Sequence, residues 1–309
     1  MNRHPVPMQS VITRTSLQVR SGIAAVLVSA AAGCGGSGGG SGGGSGGGDS
    51  AQPPASCIPS PSVGPSQATL TPLAPHVAQA GGTWRGVEIT GNVSQLAPDR
   101  SLSLSDCVIR GSLVWVGKLT LERCTIEGSV AQETGWMPSW STDPELARWT
   151  IRHTHIQGRG QTVGLRPNGR TLYDAAHRRP LLVEDSVVEI GQTHPPAHSE
   201  AMQMLGGRDQ TFRRVVFRNN GVFTNAQTAV VFSKAADVRF EDSAIIAAPL
   251  PAGAQPATGQ FTLYLGHPTT FRNTVVQRGI AGRVLPDERV NAIDAGGNLD
   301  EHCRPITLP

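Results

Sequence analysis

Three polar residues near the middle of the chain are the strongest candidates for chemistry in this sequence. His198, Glu200 and Gln203 lie within the run H-S-E-A-M-Q. On an extended segment, side chains two apart point to the same side, so His198 and Glu200 would lie together. An imidazole beside a carboxylate can act as an acid/base pair with shifted pKa values, or it can ligate a metal ion. We predict that these three residues are catalytic.

Residues that could hold a sugar substrate surround this triplet in the sequence. Arginine is dense between positions 148 and 218, and its guanidinium group can grip a carboxylate through two parallel hydrogen bonds. A long insertion at positions 132–148 carries indoles, which make good stacking platforms for sugar rings. Solvated surface arginines and core tryptophans are equally open interpretations. The predicted substrate-binding residues are Arg178, Arg179, Arg208, His194, Trp136 and Trp140.

A short repeat predicts the elements that must position these residues. An apolar residue, a polar turn residue, a small residue and a second apolar residue recur at fixed offsets. After a first step of 17 residues, the copies follow one another every 28 to 32 residues. This spacing matches one coil of a parallel β-helix, in which equivalent residues stack from coil to coil. The seven copies begin at Leu104, Leu121, Ile151, Val183, Phe212, Phe240 and Phe271.

The repeat therefore predicts an all-β chain folded as a single right-handed parallel β-helix of about seven to nine coils. The rival fold, an antiparallel sandwich, would show hairpin signals every 8–12 residues, and these signals are missing. Counting back from the next repeat start aligns Met204 with Phe232 and Leu263 on neighbouring coils. In this alignment only the middle coil places His, Glu and Gln where its neighbours carry smaller or less polar residues.

The cysteines indicate an oxidising compartment. Apart from Cys34 there are four, an even number that suggests disulfides. Cys107 and Cys124 occupy the same slot of adjacent coils, within bridging range, although two unbonded buried thiols would stack equally well there. Cys57 and Cys303 are the second candidate pair, which would join the N-terminal region to the C-terminal tail.

The N-terminus resembles an export signal. A basic stretch is followed by the apolar run at positions 21–32 and then by Cys34. We predict a lipoprotein-type signal peptide at 1–33 with a lipid anchor on Cys34, in the cell envelope of a bacterium; secretion after cleavage of an ordinary signal peptide is the alternative. Gly/Ser-rich and then Pro/Ser-rich sequence predicts a disordered linker at 35–80, and the β-helix domain is expected at 81–309.

Charge argues against a nucleic-acid partner. The formal net charge is +3, but the predicted signal peptide holds three of the 26 basic residues and no acid. The remaining chain would have 23 basic and 23 acidic residues and so lacks the basic excess that nucleic-acid binding needs. No cluster of carboxylates suits Ca²⁺, and we expect no metal, no cofactor and a monomer.

The run H-S-E-A-M-Q, followed by N-A-Q-T-A-V-V-F, T-G-Q-F-T-L-Y-L-G and G-G-N-L-D, resembles exported bacterial β-helix proteins of the pectin-lyase-like superfamily. The likeness covers roughly residues 85–303 and is to a subgroup that carries H-x-D/E-x-x-Q on a middle coil, with Glu200 where many relatives have Asp. It implies a right-handed β-helix associated with polysaccharides. The full signatures of pectate lyases, polygalacturonases and mannuronan epimerases are missing.

Two functions follow as hypotheses. The first is an enzyme that degrades an acidic polysaccharide, either a lyase or a glycoside hydrolase. In a lyase, Arg178 or Arg179 would neutralise the uronate, while His198 and Glu200 supply the base and acid. The second is a non-catalytic surface lipoprotein that binds a glycan or scaffolds a partner. The missing catalytic signatures favour the second hypothesis, and the ionisable pair favours the first.

Overall fold

The computed structural model describes residues 56–132, 144–168, 178–190, 200–219, 229–247, 261–279 and 281–309. Within these ranges the regular secondary structure is β-strand, apart from one short α-helix, α1 (Pro75–Gln79), and two 3-10 helices at Pro144–Ala147 and Pro286–Asn291. Among the described residues, no helix has both the length and the apolar character needed to cross a membrane. His194, His198, Trp136 and Trp140 lie outside the described residues.

The strands form two sheets in which the neighbours are parallel. The long sheet has sixteen strands and the short sheet has eight. The long sheet contains β1 (Thr71–Pro72), β2 (Gly82–Arg85), β3 (Val87–Thr90), β5 (Ser101–Arg110), β7 (Lys118–Ile126), β9 (Trp149–Arg152), β10 (His155–Ile156), β12 (Arg178–Glu184), β13 (Val187–Ile190), β15 (Arg208–Arg213), β16 (Val216–Asn219), β18 (Ala236–Glu241), β19 (Ala244–Ile246), β21 (Thr269–Arg272), β22 (Val275–Val276) and β24 (Ala292–Asp294). The short sheet contains β4 (Val93–Gln95), β6 (Leu113–Trp115), β8 (Val130–Ala131), β11 (Val163–Asn168), β14 (Glu200–Met204), β17 (Ala229–Ser233), β20 (Phe261–Leu265) and β23 (Gly282–Val284).

From β9 onwards the chain repeats every three strands. Strand β12 pairs with β15, β13 with β16 and β14 with β17, always in parallel, and the same step continues to β23. Each repeat thus contributes two strands to the long sheet and one to the short sheet. The all-β character and the parallel pairing agree with the sequence prediction.

The polar turn residue of the repeat has a defined backbone role. At this position seven non-glycine residues adopt φ between 47° and 53°, the left-handed region that Asp and Asn tolerate best. In the five later copies the chain bends there between the two strands that each repeat adds to the long sheet, whereas in the first two copies the bend lies within β5 and β7. These residues are Asp106, Arg123, His153, Asp185, Arg214, Asp242 and Asn273.

The small residue that follows each bend satisfies backbone groups inside the protein. Ser186 Oγ donates to the carbonyl of Glu184 at 2.6 Å and accepts from the amide of Thr154 at 3.1 Å. Ser243 repeats both contacts, with Glu241 and Val215. Because these side chains are fully buried, their hydrogen bonds replace those that water would make. A small hydroxyl residue therefore suits this position and is present at Thr154, Ser186, Ser243 and Thr274, while the other three copies have Cys107, Cys124 and Val215.

Apolar side chains stack in register between the sheets. The rings of Phe212 and Phe240 lie 4.9 Å apart and those of Phe240 and Phe271 lie 5.1 Å apart, nearly parallel in both cases. Phe217 meets Phe212 edge to face at 5.3 Å. All four rings are fully buried, so the first apolar residue of each repeat copy forms the core.

Charged side chains pair from strand to strand on the outer face of the long sheet. Arg213 contacts Glu184 at 3.0 Å on one neighbouring strand and Glu241 at 3.1 Å on the other. Arg152 extends this row beyond Glu184 at 2.8 Å, and Arg272 extends it beyond Glu241 at 3.2 Å. The alternating row from Arg152 to Arg272 is called the ion-pair ladder below. Such pairs favour the correct register because a slip by one residue would move each arginine away from its carboxylate and onto the other face of the sheet.

Residues 56–80 do not form the predicted linker, since they pack against the strands. Cys57 and Ile58 contact a small apolar cluster on the outer face of the long sheet. Further along, the Ser66 hydroxyl donates to Asp106 at 2.6 Å, and β1 pairs with β3. A disulfide joins Cys57 to Cys303 with a Cα–Cα distance of 5.5 Å, and a second joins Cys107 to Cys124 at 4.5 Å. The Pro- and Ser-rich composition of this segment did not predict these few contacts with the strands.

Candidate functional site

Glu200 occupies a buried position at the start of β14. Its side chain is 1% exposed, and its Oε2 atom has no hydrogen-bond partner among the described residues. Burial raises the pKa of this carboxyl to about 8, against the opposing effect of the positive charge of Arg166. Removing a carboxylate from water favours its neutral form, so Glu200 is largely protonated at neutral pH.

Gln203 lies on the opposite face of the same strand. Side chains alternate along a strand, so Glu200 shares a face with the buried Met202 and Met204, whereas Gln203 does not. The structure therefore separates two of the three residues that the sequence groups as catalytic. His198, the third, lies outside the described residues, and its pairing with Glu200 stays a prediction.

The predicted alignment of this strand with its neighbours was wrong. Gln203 pairs with Phe232, and Phe232 pairs with Tyr264, while Met204 pairs with Ser233. The turn after this strand shortens along the chain: Met204 lies eight residues before a repeat start, Ser233 seven and Leu265 six. Counting back from the repeat start consequently misplaced the strands by one or two residues.

The corrected register reveals a row of three partly exposed side chains on the short sheet, Gln203, Phe232 and Tyr264. The rings of Phe232 and Tyr264 stack with their centroids 4.4 Å apart and an interplanar angle of 13°. The Nζ atom of Lys234 lies 5.7 Å from the first centroid and 5.9 Å from the second. An ammonium group at this distance is attracted by the ring electrons. The row formed by Gln203 and the two rings of Phe232 and Tyr264 is called the aromatic row below.

One end of the aromatic row is held in place by the 3-10 helix at Pro286–Asn291. The Tyr264 side chain hydrogen bonds to Glu288, and the Glu288 carboxylate also accepts the backbone amide of Leu265. Burial raises the pKa of Glu288, although both hydrogen bonds and Lys234 oppose the shift. These contacts fix the orientation of the Tyr264 ring, which is a requirement for a stacking surface.

Two of the predicted substrate arginines are engaged in ion pairs. Arg178 lies 2.9 Å from Asp209, and Arg208 lies 2.5 Å from Asp237, each on the next strand of the long sheet. These contacts continue the pattern of strand-to-strand pairing seen in the ion-pair ladder. Both guanidinium groups are about half exposed, and their role in binding a substrate stays a prediction.

Arg179 differs from its neighbours because it is buried, with 6% exposure. Its Nη1 atom donates to Gln132 at 3.2 Å, and the side-chain amide of Gln210 donates to the Arg179 carbonyl at 2.7 Å. Burial lowers the pKa of this guanidinium to about 10. Arg179 thus belongs to a polar cluster inside the protein and does not extend outwards in this structure.

Trp115 and Trp149 are part of the core, whereas Trp84 is only partly buried against it. Trp149 is 2% exposed and Trp115 is fully buried, and each indole N–H donates to a backbone carbonyl at 3.0 Å. Among the described residues no group of three or more His, Cys, Asp or Glu side chains could hold a metal ion. The partly exposed aromatic side chains of the described chain are Trp84, Phe232, Phe261 and Tyr264, and of these Phe232 and Tyr264 stack on each other.

Comparisons with known proteins give no relative from which a function could be transferred. No family model, no curated protein and no solved structure matches this chain.

The sequence did contain a signal for the aromatic row. Aligning the apolar residues Val231 and Leu263, rather than the repeat starts, places Phe232 beside Tyr264.

Proposed function

We propose that this protein binds a polysaccharide through the aromatic row on the short sheet. The observation that carries the proposal is the stacked, partly exposed pair of Phe232 and Tyr264 beside Gln203. Sugar rings have apolar C–H faces that pack on aromatic rings and hydroxyl groups that need hydrogen-bond partners. The rings of Phe232 and Tyr264 offer a packing surface for the C–H faces, and the side-chain amide of Gln203 offers hydrogen bonds to the hydroxyl groups.

A repeating strand architecture suits a repeating ligand. Neighbouring parallel strands lie about 4.8 Å apart, so side chains in one row form a continuous track across the sheet. A linear glycan can lie along such a track and contact several strands at once. Each contact is weak, and binding then depends on the sum of a few contacts along the chain.

The test is binding of the full chain to a panel of soluble polysaccharides by affinity electrophoresis. The double variant Phe232→Ala/Tyr264→Ala should bind at least about tenfold more weakly, because each ring removes apolar contact area with the sugar. Ile293→Ala, which removes an apolar side chain that is 45% exposed on the long sheet, is the matched control. Equal binding by the double variant and wild type would refute the proposal.

A second candidate function is a lyase or hydrolase acting on the same glycan. The observation that favours it is Glu200, whose burial raises its pKa to about 8 and so keeps a proton available for donation. Its partner would be His198, with the exposed Arg178 neutralising a uronate, since Arg179 is buried. The Glu200→Gln variant should then abolish release of unsaturated products or reducing ends while leaving glycan binding intact. Product release unchanged by this variant excludes the mechanism.

We also propose that the three-strand repeats wind as a single right-handed parallel β-helix of the pectin-lyase-like superfamily. Support comes from the pairing of each strand with the strand three positions later and from the stacked buried rings. A crystal structure would test this by showing the hand of the connection between β13 and β14. A left-handed connection would reject the assignment.

The cellular location is a further part of the proposal. The basic and apolar N-terminal sequence and Cys34 indicate export and lipid anchoring to a bacterial membrane. The pairing of Cys57 with Cys303 and of Cys107 with Cys124 supports an oxidising compartment. Cys34→Ser should abolish incorporation of labelled fatty acid, and unchanged labelling would reject the anchor.

A further inference from the structure

A cavity of about 290 Å³ lies at the edge of the short sheet, beside its last strand β23. It is an open pocket lined by residues of β23, of the 3-10 helix at Pro286–Asn291 and of the C-terminal tail. This volume is near the lower end of small-ligand sites, roughly 300 to 1,000 Å³, and suits one sugar unit rather than a long chain. The lining residues are Arg278, Ala281, Gly282, Arg283, Val284, Arg289, Thr307 and Pro309.

Three of these lining residues are arginines, and they differ in how they are held. Arg283 donates from Nε to the carbonyl of Val276 at 2.9 Å, and its Nη2 atom lies 3.9 Å from Glu301. Arg278 and Arg289 are exposed, and their side chains make no hydrogen bond or ion pair with the described residues. One guanidinium is thus fixed in the wall, while two remain available to an incoming ligand.

The charge balance at the cavity favours an anion. The three guanidinium groups of the cavity outnumber the nearby carboxylate of Glu301, which lies 3.9 Å from Arg283, and they still do so if Pro309 carries a free carboxylate. On the outer face of the long sheet several arginines lie against carboxylates on the next strand, as Arg213 and Arg272 do, although the exposed Arg239 has no such partner among the described residues. The arginines of the cavity depart from that pattern.

The cavity also adjoins the proposed glycan surface. Strand β23 pairs with β20, which carries Tyr264, and Val284 in the cavity wall lies opposite Leu263. The 3-10 helix connects the two places as well, because Glu288 contacts Tyr264 and the next residue, Arg289, lines the cavity. A glycan lying on the aromatic row can therefore reach this edge of the sheet.

We propose that the cavity at β23 binds an oxyanion carried by a sugar unit, either a carboxylate or a sulfate ester. Arg278 and Arg289 provide charge-assisted hydrogen bonds to the oxyanion, and Arg283 is the fixed third donor group. The assignment rests on the proposed glycan binding and adds the chemical class of the ligand. The aromatic row provides sugar contact of any charge, while the cavity selects anionic chains.

The test compares charged and uncharged forms of the same sugars by titration calorimetry of the full chain. The probes are trigalacturonate, its methyl ester, a sulfated galactan oligosaccharide and its desulfated form. Wild type should bind one of the two charged probes at least roughly tenfold more tightly than its neutral counterpart. The charged probe that shows this preference identifies the oxyanion as carboxylate or sulfate.

The double variant Arg278→Ala/Arg289→Ala should lose that preference and keep the affinity of wild type for the neutral probes. Arg239→Ala, an exposed arginine on the outer face of the long sheet, is the matched control and should change nothing. Arg283 is left intact because its hydrogen bond to Val276 supports the wall. A variant that keeps the charge preference, or that loses charged and neutral probes alike, overturns the assignment.

Failure of this inference can be told apart from failure of the proposed function. If neutral probes bind through Phe232 and Tyr264 but charge adds nothing, the cavity assignment is wrong and the glycan surface stands. If Phe232→Ala/Tyr264→Ala changes no affinity but the arginine variant abolishes binding of free galacturonate or of inorganic sulfate, the cavity stands alone. Retention of binding to both small anions by the arginine variant refutes the cavity.

Discussion

The outer faces of the two sheets differ in what their exposed side chains contact. On the long sheet, Arg213 lies between Glu184 and Glu241, so the charges of each strand are matched by its neighbours. On the short sheet, the aromatic row stacks two rings whose outer surfaces stay partly exposed. In stacked repeats, a row of outward side chains can hold the repeats in register or can be presented to a ligand. The long sheet does the first, and we propose that the short sheet does the second.

The largest expected effect comes from removing a buried charge of the long sheet. It tests whether ion pairs that involve a buried carboxylate stabilise this sheet. Asp106 is fully buried and accepts hydrogen bonds from Arg123 and Ser66, which hold its pKa well below the usual range. Asp106→Ala should reduce the free energy of unfolding by about 4 kcal/mol, measured by urea denaturation. Because the pKa is lowered in the folded state, this contribution should fade as pH falls below about 4.

Asp185→Ala is the matched control for Asp106→Ala. Both residues occupy the left-handed bend, at φ of 51° and 48°, so alanine causes the same backbone cost in each. Asp185 has a side chain that is 25% exposed and pairs with Arg214 at 2.6 Å. Its loss should cost about 3 kcal/mol less than the loss of Asp106. Equal losses would show that burial adds nothing to these pairs.

The next effect concerns the buried acid on the short sheet. Burial raises the pKa of Glu200 from 4.5 to about 8, so the folded state holds its proton more tightly than the unfolded state. Stability should therefore be highest below the unfolded pKa and be lost as pH rises towards 8, by up to about 3 kcal/mol between pH 4.5 and 7. Glu200→Gln should remove this decline in urea denaturation at several pH values.

Gln203→Ala provides the control for the pH experiment because it changes the same strand without removing an acid. Its stability should follow the pH dependence of wild type, displaced by a constant amount. A Glu200→Gln variant that declines with pH as steeply as wild type would show that this carboxyl is not buried as described. The short sheet would then contain an accessible acid, which would favour the enzymatic candidate.

The smallest effect tests the exposed part of the ion-pair ladder. Arg213→Ala should lower the free energy of unfolding by about 1 kcal/mol, because Arg213 contacts two carboxylates that are partly shielded from solvent. The loss should shrink when the urea denaturation is repeated in 1 M salt, which screens surface charges. An effect as large as that of Asp106→Ala would break the distinction between buried and exposed pairs.

The sequence predicted the part of the fold that the repeat encodes. The polar bend residue adopts a positive φ, and the small hydroxyl residue after it hydrogen bonds to the backbone, as at Asp185 and Ser186. The spacing of these residues in the sequence therefore predicts the parallel strands. The strands of the short sheet were misaligned because no residue with a comparable backbone role fixes the length of the turn that follows each of them. Glu200 and Gln203 were grouped because both are polar residues of one coil, although side chains three apart on a strand point to opposite faces.

Interactions between distant parts of the chain were harder to foresee. The packing of residues 56–80 depends on a few contacts, such as Ser66 with Asp106, that leave no periodic pattern in a Pro- and Ser-rich segment. The arginine density between positions 148 and 218 suggested a surface for acidic sugars. In the structure most of the charge serves pairing between neighbouring strands, as with Arg178 and Asp209, because equivalent positions of successive repeats stack.

The Cys57–Cys303 bond also closes the chain between these two residues into a covalent ring. The two cysteines are 246 residues apart in sequence, so nearly the whole β-structure lies between them. Arrays of repeats usually lose their terminal units first, by fraying from a free end. In this ring the N-terminal residues 56–66 run along the outside and are bonded to the opposite end, so neither terminus is free to peel away alone. A single cut by a protease in an outer loop would leave both fragments joined, and the cut protein could keep its shape.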